Sequence, residues 1–209
     1  MPKFVILLFL IGCSTFTYSQ DEVMASSEVI KFKEQVIAAS KMTQTITSDF
    51  VQYKHLDFLE NDIETSGKLA YKAPGLVKWE YTNPYQYSVI FQKDELLIND
   101  GGTKSKVEIG SSKLFKKLNE LIVKSVKGNM FDDSDFEVSY FTSSEVNKAI
   151  FSPKDRKIAT YIASFELHFN KLNGAVTEVK MVEPSGDFTQ IVFSNRLLNG
   201  TLDDAIFTN

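Results

Sequence analysis

From residue 47 onward the apolar residues of this chain recur at every second position, in short runs broken by turn-forming residues. Residues 47–53, 67–72, 75–81 and 85–92 are rich in aromatic and β-branched side chains. Asn61-Asp62, Ala73-Pro74-Gly75, Asn83-Pro84 and Lys93-Asp94 separate them. A period of two marks a strand with unlike faces, and Gly, Pro, Asn and Asp supply the dihedral angles of tight turns. Connections this short join antiparallel neighbours, because a parallel crossover needs a long connection, usually a helix. The pattern resumes at 137–141, 149–153, 161–169, 176–183, 188–194 and 205–208, with hairpin turns at Leu172-Asn173-Gly174 and Pro184-Ser185-Gly186-Asp187. The expected body is a long antiparallel meander. No Gly-rich phosphate loop follows any strand.

Two segments carry a helical period instead. In Ser26–Lys41, Val29, Phe32, Val36 and Ala39 recur at spacings of three and four, with Lys31, Lys33, Glu34 and Lys41 off that stripe and Ser26 or Ser27 as the N-cap. In 112–126, Leu114, Phe115, Leu118, Leu121 and Ile122 form one apolar face. Lys113, Lys116, Lys117, Glu120, Lys124 and Lys127 crowd elsewhere, as a solvated face or a docking surface for an acidic partner. No linker, charge block or low-complexity stretch interrupts the chain, so residues 20–209 read as one domain.

The first nineteen residues read as a cleaved export signal. Lys3 gives a positive start, Phe4 to Phe16 is almost wholly apolar, and Thr17-Tyr18-Ser19 offers small residues before a cut ahead of Gln20. The apolar run is shorter than the ~20 residues of a permanent span. Its removal takes away one lysine and shifts the net charge from −4 to −5, which does not suit a nucleic-acid binder. The sole cysteine, Cys13, leaves with the signal, and disulfides, thiolate catalysis and cysteine metal sites leave with it. Leu10-Ile11-Gly12-Cys13 also fits the pattern at which bacterial lipoproteins are cut and lipidated. That alternative makes Cys13 the mature, membrane-anchored N-terminus.

Catalytic patterns are scarce. His55 and His168 lack the paired ligand spacing of zinc sites, and no Gly-x-Ser-x-Gly elbow appears. The cluster Asp132, Asp133, Asp135 and Glu137 has Gly128 before it and no glycine after it, so it fails as a calcium loop and reads as turn and capping aspartates. A carboxylate pair for glycoside hydrolysis is defined by distance in space and leaves no mark to test. Asn199-Gly200-Thr201 matches a glycosylation sequon, a triplet that arises often by chance. The aromatic content is high instead: 17 Phe, 8 Tyr and 1 Trp. One sheet with a thin helical cover has a concave apolar interior, where ligand pockets form in β proteins.

Specific residues then point to a family. Ser48-Asp49-Phe50-Val51-Gln52 is followed by the segment from Gly67-Lys68-Leu69 through Pro74-Gly75 to Trp79-Glu80-Tyr81, and then by Asn83-Pro84. This order (Phe-x-Gln, Gly-x-Leu, Pro-Gly-x-x-x-Trp-x-Tyr, x-Pro) resembles the LolA family, periplasmic carriers of outer-membrane lipoproteins. The closing Asn199-Gly200-Thr201-Leu202-Asp203-Asp204-Ala205-Ile206-Phe207 resembles that family's last segment. The likeness spans residues 28–208.

The resemblance implies a mainly β fold: a single curved antiparallel sheet forming an incomplete β-barrel, covered by a lid of short helices, with acyl chains held in the hollow. It implies lipoprotein cargo, an inner-membrane releasing complex, an outer-membrane acceptor, no cofactor, no catalysis and a monomer. With Trp79 inward, period two turns Val77 and Tyr81 inward, with Lys78 and Glu80 outward; Leu69 and Tyr71 point in, with Lys68 and Lys72 out. Phe50 is the inward residue of the first strand. In 85–92, Val89 and Phe91 compete with Ile90, and Phe91 is taken as the cavity residue. From the lid, Phe115, Leu118 and Ile122 complete the set. The family's lid-latching arginine before the Pro is absent; Ala73 stands there with Lys72 beside it, and Lys72 substitutes only if it reaches the lid. Competing readings are an anchored acceptor or lipid-binding module on the same fold, a sensor of mislocalised lipoproteins, and a hydrolase.

Overall fold

A computed structural model describes residues 21–92, 95–108, 130–132 and 135–208. The chain folds as β1 (Glu22–Val23), α1 (Ser26–Lys41), β2 (Thr45–His55), β3 (Ile63–Lys72), β4 (Leu76–Asn83), β5 (Tyr87–Gln92), β6 (Glu95–Asp100) and β7 (Thr103–Glu108). After a 3-10 turn, Met130–Asp132, come β8 (Phe136–Thr142), β9 (Val146–Pro153), α2 (Arg156–Ala159), β10 (Ser164–Asn170), β11 (Val176–Val182) and β12 (Phe188–Leu198), then a last 3-10 turn, Asp204–Phe207.

All twelve strands belong to one antiparallel sheet in the order β1-β8-β9-β10-β11-β12-β2-β3-β4-β5-β6-β7. Two meanders, β2 to β7 and β8 to β12, are joined where the last strand pairs with β2, with Phe193 opposite Phe50 and Ile191 opposite Gln52. Among the described residues the sheet is unclosed, with β1 and β7 at its edges. It curves, so its inner face gathers two apolar clusters. One holds Phe32 and Val36 of α1 against Phe131, Phe151, Phe165, Leu167 and Phe169. The other holds Ile46, Phe50, Leu69, Tyr71, Val77, Trp79, Phe91 and Leu96.

The helix over Ser26–Lys41 has the bounds its period gives, and Phe32 and Val36 are its buried residues. Its N-cap, however, is Ala25 rather than a serine. Ala25 donates its backbone N–H to the Glu28 carboxylate at 2.8 Å, so a carboxylate one turn on satisfies the helix start. The segment 112–126, with Phe115, Leu118 and Ile122, lies outside the described residues, as do the first twenty.

Three other expectations change. Residues 95–108, which carry no strand expectation from sequence, form the β6–β7 hairpin around Gly101 and Gly102, both at positive φ. β7 is exposed along its whole length and polar, so no buried face gives it a period to read. The run 161–169 becomes strand only from Ser164: Asp155 caps α2 by accepting from the Lys157 N–H at 2.8 Å, and past that helix the Tyr161 and Ile162 N–H groups still donate to the Ile158 carbonyl, at 2.9 and 3.0 Å, rather than to a neighbouring strand. The strand expected at 205–208 is a 3-10 turn. Asp203 accepts from the Ala205 N–H at 2.9 Å and diverts the chain, while Phe207 is buried.

Candidate functional site

Between the two clusters the C-terminal half of α1 stands off the sheet and leaves a cavity of about 120 Å³. Val36 and Ala39 form its roof, and Ile46, Leu69 and Trp79 one wall. Val176, Val179, Ile191 and Phe193 form the other. Each wall follows from strand alternation, since Leu69 pairs with Trp79, and Val179 with Ile191, across neighbouring strands, so each pair shares a face.

The remaining inward residues pack behind this wall. Phe50 is 1% exposed and meets Trp79 and Tyr81 edge-on, at 5.0 and 5.2 Å between ring centroids. Tyr71, Val77 and Phe91 are buried in the same cluster. Of the residues singled out from sequence, Leu69 and Trp79 therefore touch the cavity, whereas Phe50, Tyr71, Val77, Tyr81 and Phe91 back it. Val89 and Phe91 share the inner face with Trp79 and Val77, while Ile90 is opposite Lys78 on the outer face. Lys78 pairs with Glu80 at 3.2 Å on that outer side.

Polar groups near the cavity are mostly committed to the backbone. Ser40 donates to the Ile37 carbonyl at 2.7 Å, Thr43 to Ala39 at 2.9 Å, and Ser48 to Ser194 at 2.7 Å. The Tyr81 hydroxyl donates to Gln52 Oε1 at 3.0 Å. Burial, reinforced by Tyr85 and Tyr87, pushes its pKa up to about 12, so it stays neutral. Burial likewise raises the Tyr71 pKa. The exception is Arg196, which no sequence pattern marks. It lines the cavity, donates from Nη1 to the Val176 carbonyl at 3.0 Å, and leaves Nε without a partner.

Lys72 does not engage the missing latch position. It faces outward and pairs with Asp204, tying the C-terminal turn to the back of the sheet. His55 donates from Nδ1 to the Asp62 carboxylate at 2.8 Å and stacks on Phe188, and His168 lies between Glu166 and Glu178, away from the cavity.

The arrangement can shelter an apolar ligand, and among the described residues no nucleophile–base pair lies beside it. A family model described as "Outer membrane lipoprotein carrier protein LolA" matches residues 41–209. An outer-membrane lipoprotein carrier protein from Pseudomonas paraeruginosa is 26% identical over 167 residues, covering 79% of this chain and 76% of the relative. Another, from Pseudomonas putida strain GB-1, is 23% identical over 199 residues, covering 95% and 88%. Among solved structures, an uncharacterized conserved protein from Thermus thermophilus shares the fold, with a TM-score of 0.51 at 8% identity over 86% of this chain and 92% of that one. The Pseudomonas aeruginosa MucA/MucB complex gives a TM-score of 0.50 at 10% identity over 87% of this chain, which spans 61% of the matched chain's length. The single unclosed sheet, the apolar hollow beneath α1 and a family match running from the end of that helix to the C-terminus converge: this chain belongs to the LolA family.

Proposed function

We propose that this protein is a periplasmic carrier that takes the acyl chains of lipoproteins into the cavity between α1 and the sheet and ferries them towards the outer membrane. LolA carriers are non-enzymatic lipoprotein chaperones. The observation that carries the reading is the mainly apolar lining contributed by α1 and by both meanders. Burying one 16-carbon chain saves about 12 kcal/mol of exposure to water, so an acylated protein needs such shelter in an aqueous compartment.

The cavity is smaller than the ~300 Å³ at the lower end of ligand pockets, so loading requires it to widen. The roof gives before the walls do. The walls are strands hydrogen-bonded on both sides, whereas α1 is tied down by side-chain bonds: Gln35 donates to the Lys171 and Leu172 carbonyls, and just beyond the helix Asn199 donates to the Met42 carbonyl and accepts from the Gln44 N–H. The carrier reading further implies an inner-membrane complex that loads the protein and an outer-membrane acceptor that unloads it. It also implies export and cleavage before Gln20, giving an intact mass for residues 20–209 without added acyl groups.

The mature protein should release a membrane lipoprotein from spheroplasts into the soluble fraction. Trp79→Glu, which puts a charge in the wall, and Ala39→Phe, which fills the space from the roof, should both abolish release. Absence of release by the wild type, or full release by a folded Ala39→Phe variant, counts against the reading.

A further inference from the structure

Arg196 reaches the cavity through an irregularity in β12. Ser194 pairs with Asp49 and Leu197 with Thr47, so two residues, Asn195 and Arg196, stand opposite the single Ser48. Asn195 takes a φ of 51°, a conformation asparagine tolerates better than most residues. This bulge shifts the strand's alternation by one and sends Arg196, instead of Asn195, to the inner face. Asn195 turns outward and donates to Asp49 at 2.8 Å.

The guanidinium is held in place by the Val176 carbonyl and by nothing charged. Among the described residues no carboxylate pairs with it, and its Nε–H is buried without an acceptor. A cation with an unmet donor at an apolar cavity is unfavourable in the empty protein. A methionine would fill the same volume without that penalty. The position therefore makes physical sense when something oxygen-bearing enters the cavity with its apolar part.

We propose that Arg196 is the head-group contact of the cavity, donating to the carbonyl-type oxygen at the head of an acyl chain whose tail runs towards Leu69 and Trp79. The planar fork of a guanidinium suits such oxygens. The shared chemistry is a carboxyl-derived oxygen, which an acyl ester and a free fatty acid both carry. The inference rests on the reading of the cavity as an acyl site.

The test titrates the mature protein and Arg196→Met with laurate, methyl laurate and dodecane, the last delivered from cyclodextrin, following Trp79 fluorescence. Wild type should bind the two headed ligands about tenfold more tightly than dodecane, the worth of one charge-assisted hydrogen bond. Arg196→Met should lose that preference while keeping its affinity for dodecane. Loss confined to laurate assigns the contact to a free carboxylate, and loss confined to methyl laurate assigns it to an ester; either supports the proposal. Equal binding of all three ligands by wild type overturns it whatever the variant does, as does an Arg196→Met variant that keeps the preference for both headed ligands. If wild type binds none of them, dodecane included, the acyl reading of the cavity falls and this contact with it. Should Arg196→Met fail to fold, Arg196→Lys carries the charge without the fork and should keep part of the preference for laurate; an unaltered preference for methyl laurate in that variant overturns the role of the fork.

Discussion

A β-carbon placed on Gly67 would fall 1.9 Å from the carbonyl oxygen of Glu80. The two strands approach this closely where the β3–β4 register shifts, with Ser66 opposite Asn83 and Gly67 opposite Tyr81. The obstacle is backbone, so no side-chain rotation relieves it. Gly67 also faces Phe50 across β2, and Phe50 touches Trp79 and Tyr81 there. Gly67→Ala should therefore destabilise the fold by about 3 kcal/mol, the upper range for overpacking. Urea unfolding followed by Trp79 fluorescence measures it, and an unchanged midpoint refutes the steric account.

Trp79 is the only tryptophan and lines the cavity, with Phe50 at 5.0 Å and Phe193 at 6.0 Å between ring centroids. A fatty acid carrying bromine in mid-chain should quench its emission well beyond whatever change the unbrominated chain produces, because heavy-atom quenching needs contact. Binding detected by dialysis with no quenching would put the tail elsewhere.

Tyr81 gives the fold an alkaline limit. Its pKa rises from 10.0 in the unfolded chain to about 12 in the folded one, through burial first and then Tyr85 and Tyr87. The folded state holds this proton more tightly, so the associated stability is complete below about pH 10 and is lost as pH rises towards about 12. Tyr81→Phe should be less stable than wild type near pH 8 by about 1 kcal/mol, the value of its bond to Gln52. That difference should shrink or reverse by about pH 11.5. A difference constant across the range would mean that Tyr81 does not titrate as described.

Two contacts hold the C-terminal turn, and they should be unequal. Asp204, the partner of Lys72, is 75% exposed, so Asp204→Asn should change stability by less than about 1 kcal/mol. Phe207 is 3% exposed, and Phe207→Ala should lose about 3 kcal/mol. Thermal melts of the two variants rank them, and a larger effect from Asp204→Asn would show that the ion pair is the anchor.

Local order was legible because it is written by near neighbours. The spacing of Val29, Phe32 and Val36 gave α1 its bounds, and the alternation Val77-Trp79-Tyr81 gave β4 its inner face. Most strands with one buried side were found for the same reason; β6, whose Leu96 and Ile98 pack inward, was missed, and β7, exposed on both sides, offered no period to read. The motif running from Phe50 through Trp79 carried the family.

The cavity itself came from farther away. Period two along β12 places Ile191 and Phe193 inward and then points to Asn195. Only the pairing of β12 with β2, about 150 residues apart in sequence, reveals the bulge that hands the inward position to Arg196. Likewise Val36, Trp79 and Val179 share no local pattern, and they meet because the two meanders join at that one strand pair and α1 crosses the junction. The sequence alone determined which residues turn to the inside of a strand or helix, since that depends on a repeat of two or 3.6 residues. The tertiary structure decided which insides face one another, and whether a charge stands among them, because strand pairing and bulges are settled by contacts between distant segments.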